Sequence, residues 1–463
     1  MTTPDTFEAA GDVRRVHRLT PLLRFWTVIL AIFAALLLNF NLSTFNSIWG
    51  FFQGEFGQAW VSLLIGVGGL LLAGLLLWLV SQIWWKATGF RVTEEEVQLK
   101  RGVLNTQLRT ARFDRVQAVD VVESVIARIF RLASVRVETA GGGNSVIEIL
   151  YLPKAEAEQL RAELLARTRG QSVELELPEG ETGDTEVVGE HDDYLVPEIP
   201  IQRSLLGALL SIPAIITAIG TIVFLVTPLS PASIFPVLVG VVPIVWGQID
   251  RSWKFNARME GEVVNLSYGL ADRRKQSIPL SRIHGVRVRQ PMLWRLVGWW
   301  AVDITVAGYG SESNKKTGTS TLFPVGSRDR AMAVAAVLGP LSRAEMESHA
   351  RPEGATHPHF SSPPVARWVS PIDRKQQGVT LLNEAVVVHK GRIGRQVSMI
   401  DTSHIQELTL RHGPLQQLVH LCTVQLDLVD GPVHMAGEDL DETRGRELMN
   451  WLRRRELPGP DKS

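Results

Sequence analysis

The stretch FDRVQAVDVVESVIARIFRL at residues 113–132 decides the fold, because the chain repeats it. The segment IPLSRIHGVRVRQPMLWRLVGW at 278–299 aligns with it without a gap after a shift of 167 residues, and a more divergent copy follows 289 residues after the first. Such a period indicates one small structural unit that occurs three times. The recurring positions are Gly102, Gly269 and Gly391; Arg115 and Arg282, with His404 in the third copy; Gln117, His284 and Gln406; and Arg128 and Arg295, with Gln417 in the third copy.

Each copy has the same order of local patterns. An alternating apolar and polar stretch precedes the repeated glycine, and the signature R-[VI]-[QH]-x-V follows it. An apolar stretch and two further strand-like segments come next. An amphipathic helix ends each copy, at about 154–167, 328–341 and 439–455. Period-two alternation bounded by glycine turns is typical of strands that are buried on one face. Each copy is therefore predicted to form a small β-sandwich or barrel capped by its C-terminal helix.

The stretches FRVTEEEVQLKRGVL at 90–104 and RVQAVDVVESVIARIFRLASVRVETAG at 115–141, with their later equivalents, resemble the bacterial pleckstrin-homology-like (PH-like) domain of the YdbS/YdbT-type membrane proteins. The order of helix pair, domain, second helix pair and two more domains is similar to the YdbT-type layout. The resemblance covers most of the chain and implies a membrane role without naming a reaction. The third copy departs most, since it lacks both signature arginines.

Four apolar segments, at about 22–42, 60–83, 205–226 and 234–249, are predicted to be transmembrane helices in two hairpins. A span needs roughly 20 apolar residues. The first three segments are long enough, whereas the fourth, with Pro236 and Pro243, qualifies as the return leg of a hairpin. The alternative for each segment is a buried core helix. Because Lys and Arg flank the segments on one side only, we expect a multi-pass cell-membrane protein with both termini cytoplasmic.

These patterns predict a division of the chain into eight parts. They are a cytoplasmic N-terminal segment (1–21), transmembrane hairpin 1 (22–83), PH-like domain 1 (84–170), an acidic disordered linker (171–203), transmembrane hairpin 2 (204–250), PH-like domain 2 (251–345), a Pro/His linker (346–366) and PH-like domain 3 (367–457).

The composition excludes several kinds of chemistry. The single cysteine, Cys422, rules out a disulfide framework, a zinc ribbon and an iron–sulfur cluster. No nucleophile elbow, P-loop, H-E-x-x-H or C-x-x-C motif is present. The 48 basic and 48 acidic side chains cancel. We therefore expect no enzymatic activity, no cofactor, no metal site and no nucleic acid partner.

Basic side chains are the best candidates for function. Residues 251–345 carry 15 Lys or Arg against 7 Asp or Glu, a local charge of +8. Near an anionic inner leaflet each such residue is worth about 1 kcal/mol. Candidate contacts to lipid headgroups or a partner are Arg273, Arg274 and Lys275 after the glycine turn, and Arg287 and Arg289 on one strand face. The alternative is a solvated surface. For the repeated signature residues we favour a structural role over ligand binding.

The sequence favours a non-catalytic membrane scaffold or adaptor, in which two transmembrane hairpins hold three cytoplasmic PH-like domains at the membrane surface. Expected partners are membrane lipid and other membrane or cytoplasmic proteins, or a second copy of the chain. The alternative is an accessory component of a membrane export, transport or resistance system. A third hypothesis, a membrane enzyme with a site assembled between subunits, ranks last because no nucleophile–base pair is visible.

Overall fold

A computed structural model of the chain describes residues 13–18, 20, 23, 68, 78–79, 81–102, 106–139, 146–168, 194–227, 235–307, 320–354 and 357–454, without the side chains of 117, 168, 224–225 and 235–242. Nearly all of predicted hairpin 1, the acidic segment 171–193 and the loop 228–234 lie outside the described residues. The chain divides into two compact units, residues 1–139 with 146–176 and residues 140–145 with 177–463.

The first unit contains the first repeat, built from two antiparallel sheets and a helix. The sheets have the strand orders β1-β2-β3-β4 and β5-β6-β7. Its elements are β1 (Arg14–Arg15), β2 (Gly89–Val92), β3 (Glu96–Arg101), β4 (Gln107–Arg112), β5 (Val116–Glu123), α1 (Val125–Ile129), β6 (Leu132–Thr139), β7 (Val146–Pro153) and α2 (Lys154–Thr168). Phe90 and Val135 from the two sheets and Leu160 and Leu164 from α2 are buried in one core. The spacing of four places both leucines on one helix face.

The second unit begins with a short strand and three helices, which lead into the second repeat. These elements are β8 (Tyr194–Val196), α3 (Ile201–Leu209), α4 (Ile212–Val226) and α5 (Phe235–Ser252). The second repeat comprises β9 (Asn256–Glu260), β10 (Val263–Tyr268), β11 (Arg273–Pro279), β12 (Ile283–Gln290), β13 (Trp299–Val306), β14 (Thr321–Ser327) and α6 (Arg328–Leu338). Strand β10 buries alternate residues, as the predicted period of two requires.

A short helix, α7 (Arg343–His349), lies between α6 and the third repeat. The third repeat has the same order of elements as the second. Its elements are β15 (Phe360–Ser361), β16 (Gly378–Leu382), β17 (Ala385–Lys390), β18 (Arg395–Asp401), β19 (Glu407–Arg411), α8 (Pro414–Leu418), β20 (Leu421–Asp427), β21 (Met435–Asp441) and α9 (Glu442–Arg454). Its core includes Cys422, which is fully buried. The predicted linker 346–366 is more ordered than a spacer, because it contains the end of α7 and all of β15.

One sheet crosses the boundary between the second and third repeats. Strand β12 pairs with β13 on one side and, antiparallel, with β18 of the third repeat on the other. The register runs from Val286 opposite Met399 to Gln290 opposite Arg395. The seven strands follow the order β14-β13-β12-β18-β17-β16-β15. The two repeats therefore share one hydrogen-bonded sheet within the second unit.

The repeat extends to the backbone conformation of the turns. Gly102, Gly269 and Gly391 have φ of 109°, 117° and 83°, a region that side chains with a Cβ rarely adopt. A Cβ at Gly269 would overlap the Asp272 carbonyl oxygen, and one at Gly391 would overlap the Gly394 carbonyl oxygen. The expectation of three repeats, each built from antiparallel strands and ending in a helix, is confirmed.

The third apolar segment differs from its predicted form. It is two helices, α3 and α4, which bend by 64° at a break after Leu209 rather than forming one span over 205–226. Ser211 caps α4 by accepting a hydrogen bond from the Ala214 amide, and Pro213 lies in the first turn. In the part of the chain that the structure describes, no single helix has both the length and the apolar character of a membrane span, whereas this bent pair has them together.

Candidate functional site

Buried hydrogen bonds join helix α3 both to the end of α5 and to the second repeat. Ser204 Oγ on α3 donates to the Ser252 carbonyl oxygen at the end of α5, at 2.9 Å. The indole Nε1 of Trp294 donates to the Gly207 carbonyl oxygen on α3, at 3.1 Å. A Cβ at Gly207 would lie 3.4 Å from the Trp294 ring, which is ordinary van der Waals contact. The helices and the second repeat therefore form one packed junction.

The basic turn that follows Gly269 is held at the end of α5. One carboxylate oxygen of Asp250 accepts hydrogen bonds from the amides of Leu270 (2.8 Å) and Ala271 (2.6 Å). The Gly269 amide also donates to the Trp253 carbonyl oxygen, at 3.1 Å. Because these bonds join backbone to helix end, the turn keeps a fixed position relative to α5.

Strand β11 begins directly after this turn with the three predicted basic contacts. Arg273 is exposed, whereas Arg274 is mostly covered, with a guanidinium nitrogen 3.7 Å from the Asp272 carboxylate. Lys275 is partly buried. The structure thus brings these three residues together beside the end of α5, and Arg273 is the one most open to solvent.

The two arginines of β12 lie on one strand face, as their spacing predicts, and both bind one buried carboxylate. Arg287 Nη2 and Arg289 Nε lie 2.7 Å and 2.6 Å from Asp303 Oδ2 on β13. Thr321 donates to the other carboxylate oxygen at 2.8 Å. Burial alone would raise the pKa of Asp303, but the guanidiniums of Arg289 and Arg287 hold it below its usual value. Two positive charges per carboxylate leave this face with an excess of positive charge.

A cavity of about 520 Å³ opens between the helices and the second repeat. Its lining includes Arg251, Arg289 and Trp294, together with apolar residues of α4 and α5, among them Ile212 and Ile244. Arg251 has no carboxylate partner among the described residues. The cavity lining therefore combines positive charge with apolar surface, and among its residues sequence reasoning identified only Arg289 as a candidate contact.

The signature residues do not form one site. Arg115 and Gln406 are exposed, Arg128 and Arg282 are partly buried, and Gln117 lies in β5. Arg295 donates to the Arg392 carbonyl oxygen in the glycine turn of the third repeat, so it contacts the neighbouring domain.

Two signature histidines meet at the boundary between the second and third repeats. The rings of His284 and His404 stack with centroids 4.2 Å apart and an interplanar angle of 8°. Burial, together with the positive potential of His404 and Arg282, lowers the pKa of His284. Sequence reasoning missed this contact, because the two residues occupy different columns of the repeat and meet only where β12 pairs with β18.

The residues equivalent to Arg287 in the three repeats differ in charge, as do the residues opposite them on the neighbouring strand. Asp120 lies opposite Arg136 in the first repeat, whereas Arg287 lies opposite Asp303 in the second. The third repeat has a neutral pair at the equivalent position. Opposite charges on facing residues are compatible with strand pairing in either orientation. This position consequently carries no charge signature common to the three domains.

A short apolar turn is exposed at the same place in all three repeats. It follows β5, β12 and β19 as α1, a 3₁₀ turn at Met292–Val297 and α8. The equivalent side chains Ile129, Leu296 and Leu418 are 72%, 81% and 78% exposed. Three large apolar side chains at one equivalent position are more than the scattered exposure normal for a surface. They define a recurrent contact surface, which we call the apolar turn.

The described residues contain no assembled metal site, because no group of three or more His, Cys, Asp or Glu side chains converges among them. Burial raises the pKa of the Cys422 thiol to about 11, so the thiol is protonated and unreactive at neutral pH. The Cys422 thiol is therefore not a candidate nucleophile. The charged and apolar features of the helix–domain junction are the site that the structure presents.

Comparison with known proteins agrees with the fold. The sequence profile of the bacterial PH domain matches residues 28–168, 206–342 and 360–456, which together make up most of the chain. The chain belongs to the bacterial PH domain family, with three copies of the domain. It is similar to the transmembrane protein YdbT of Bacillus subtilis (strain 168), at 24% identity over 287 residues. That similarity covers 56% of this chain and 58% of the relative's length.

Proposed function

We propose that this chain is a non-catalytic membrane protein that holds three PH-like domains at the cytoplasmic surface of the cell membrane as a scaffold or adaptor. Two hairpins, at 22–83 and 204–250, anchor it, and both termini lie in the cytoplasm. The similarity to a protein named as transmembrane supports the anchoring. The absence of catalytic motifs from the sequence supports a binding role.

The observation that carries the proposal is the attachment of α5 to the basic turn. Asp250 binds the backbone directly after Gly269, and Arg273 follows within a few residues. If α5 crosses the membrane, these bonds place the basic residues at the level where the helix leaves the lipid. A domain with local charge +8 then faces an anionic leaflet, which attracts it by about 1 kcal/mol for each basic residue near the surface.

The apolar turns supply the surfaces through which such a scaffold binds partners. Each domain presents one large apolar side chain, at Ile129, Leu296 or Leu418, on a short helical turn. Three domains on one chain raise the local concentration of each turn for a multivalent partner.

Cysteine labelling in intact cells tests the topology. Cys422 is replaced by Ser, and single cysteines are introduced as Ser230→Cys, in the loop predicted to be external, and Arg273→Cys. A membrane-impermeant maleimide is expected to label Ser230→Cys in intact cells and Arg273→Cys only after permeabilisation. Labelling of both in intact cells, or recovery of the chain in the soluble fraction, refutes the proposed anchoring.

Co-purification from native membranes tests the scaffold role. A stoichiometric protein partner is expected to remain bound to the wild type and to be lost when Ile129, Leu296 and Leu418 are replaced by Ser. Val337→Ser is the matched control, because Val337 is also an exposed apolar residue but lies on α6, outside the apolar turns. The scaffold role is refuted if no protein is retained, or if the triple variant retains it as well as the control does.

A further inference from the structure

The cavity between the helices and the second PH-like domain has the form of a lipid site. Its volume, about 520 Å³, lies in the range of small-molecule sites. Its lining combines the guanidiniums of Arg251 and Arg289 with the apolar residues Ile212, Pro213 and Ile244. A ligand that fits this lining has an anionic group joined to an apolar chain.

The positive charge in the cavity lining is available to a ligand. Asp303 is the carboxylate partner of both Arg287 and Arg289, so one positive charge of this trio remains uncompensated. Arg251 adds a second charge and has no carboxylate partner within the described residues. Guanidinium groups form strong, charge-assisted hydrogen bonds with phosphate oxygens. A phosphate group therefore complements the arginines of the cavity lining.

The apolar part of the lining continues onto helix surfaces that the protein itself leaves uncovered. Ile212 and Ile244 line the cavity and are also exposed, as are Ile216 and Ile219 farther along α4. On α3, Ser204, Gly207 and Ala208 are buried, whereas Leu205 and Leu209 are exposed. An apolar helix face next to a basic cleft suits a lipid, whose acyl chains pack on the helix while its anionic headgroup contacts the arginines.

We propose that this cavity binds one anionic phospholipid, with its phosphate at Arg251 and Arg289 and its acyl chains along α4 and α5. The site rests on the proposed membrane anchoring and deepens it by naming the lipid class. The bound lipid ties the second domain to the leaflet through the same helices that anchor the chain.

Native mass spectrometry of the full-length, delipidated protein in detergent tests the site. Phosphatidylglycerol, phosphatidylcholine and soluble sn-glycerol 3-phosphate are added back separately. The wild type is expected to retain one phosphatidylglycerol in preference to phosphatidylcholine and to bind the soluble phosphate far more weakly. Equal retention of the two lipids refutes an anionic-lipid site. Equal binding of sn-glycerol 3-phosphate also refutes it, because the ligand would then be a free phosphate.

Three variants locate the bound lipid. Arg251→Gln is expected to weaken phosphatidylglycerol binding by about five-fold or more. Gly247→Leu fills the cavity and is expected to abolish binding; a Cβ at Gly247 has no neighbour within 4 Å, so the helix tolerates the change. Arg203→Gln removes an exposed charge on α3 outside the cavity and should leave binding unchanged.

Retention of the lipid by both cavity variants refutes the location. Cysteine labelling that fits the membrane topology, combined with no preference for phosphatidylglycerol, contradicts the lipid site alone. Failure of the topology test contradicts the proposed function as well.

Discussion

Acidification is expected to lower the folding stability of the third domain, because His389 is buried in its neutral form. This residue lies on β17 and is 2% exposed, and its Nε2 donates to the Arg351 carbonyl oxygen at 2.9 Å. Burial lowers the pKa of His389 from 6.5 to about 4. The folded state therefore holds the neutral ring while the unfolded chain takes up a proton, so stability is complete above about pH 7 and falls as the pH drops through 6.5 toward 4. At pH 5 the two pKa values correspond to a loss of about 2 kcal/mol.

Amide hydrogen exchange of β17 in the full-length protein in nanodiscs measures this loss. The free energy of opening, corrected for the intrinsic exchange rate, is compared at pH 7 and pH 5. His389→Gln is the matched variant, because its amide retains a donor for the Arg351 carbonyl but does not titrate. We expect the wild type to lose about 2 kcal/mol more than the variant between the two pH values. Equal losses would refute the assignment of the pH dependence to this histidine.

Three further substitutions test the packing. Asp303→Asn leaves two guanidiniums without their charge partner and should destabilise the second domain by about 3–5 kcal/mol in denaturant unfolding; a loss below about 1 kcal/mol would contradict the charge cluster. Gly391→Ala should lower the free energy of unfolding by about 1–3 kcal/mol in the same assay. Gly394→Ala should leave it nearly unchanged, because a Cβ at Gly394 has open space around it. Similar losses for the two variants would argue against a strained turn at Gly391. Ser342→Ala removes half of a capping box and should weaken exchange protection of α7 by about 1 kcal/mol; unchanged protection would contradict the capping role.

The strands and turns of each repeat were predictable because their signals are local. Period-two alternation marked β10, and glycines marked turns whose φ values only glycine adopts readily. The placement of Arg287 and Arg289 on one strand face follows from the same period. Their shared partner Asp303 was not predictable, because its position opposite β12 depends on the pairing of β12 with β13.

Local sequence patterns could not predict features that depend on contacts between segments far apart in the chain. The stacking of His284 on His404 arises from the pairing of β12 with β18, and no motif records which repeats share a sheet. The cavity brings together residues of α3, α4, α5 and the second domain, which are separated by more than 100 positions in sequence. The break between α3 and α4 did have a local signal, since Ser211 and Pro213 begin a new helix.

Because β12 and β18 belong to one sheet, the sequence repeats of this protein are not independent structural units. A gene shortened after the second domain would expose the backbone donors and acceptors of β12, and such bare strands promote aggregation. Strand β19 is the third domain's counterpart of β12, and among the described strands it pairs with β20 alone. An array built by duplication in this way is easier to lengthen at its C-terminal end than to shorten, which favours retention of every copy once it has been acquired.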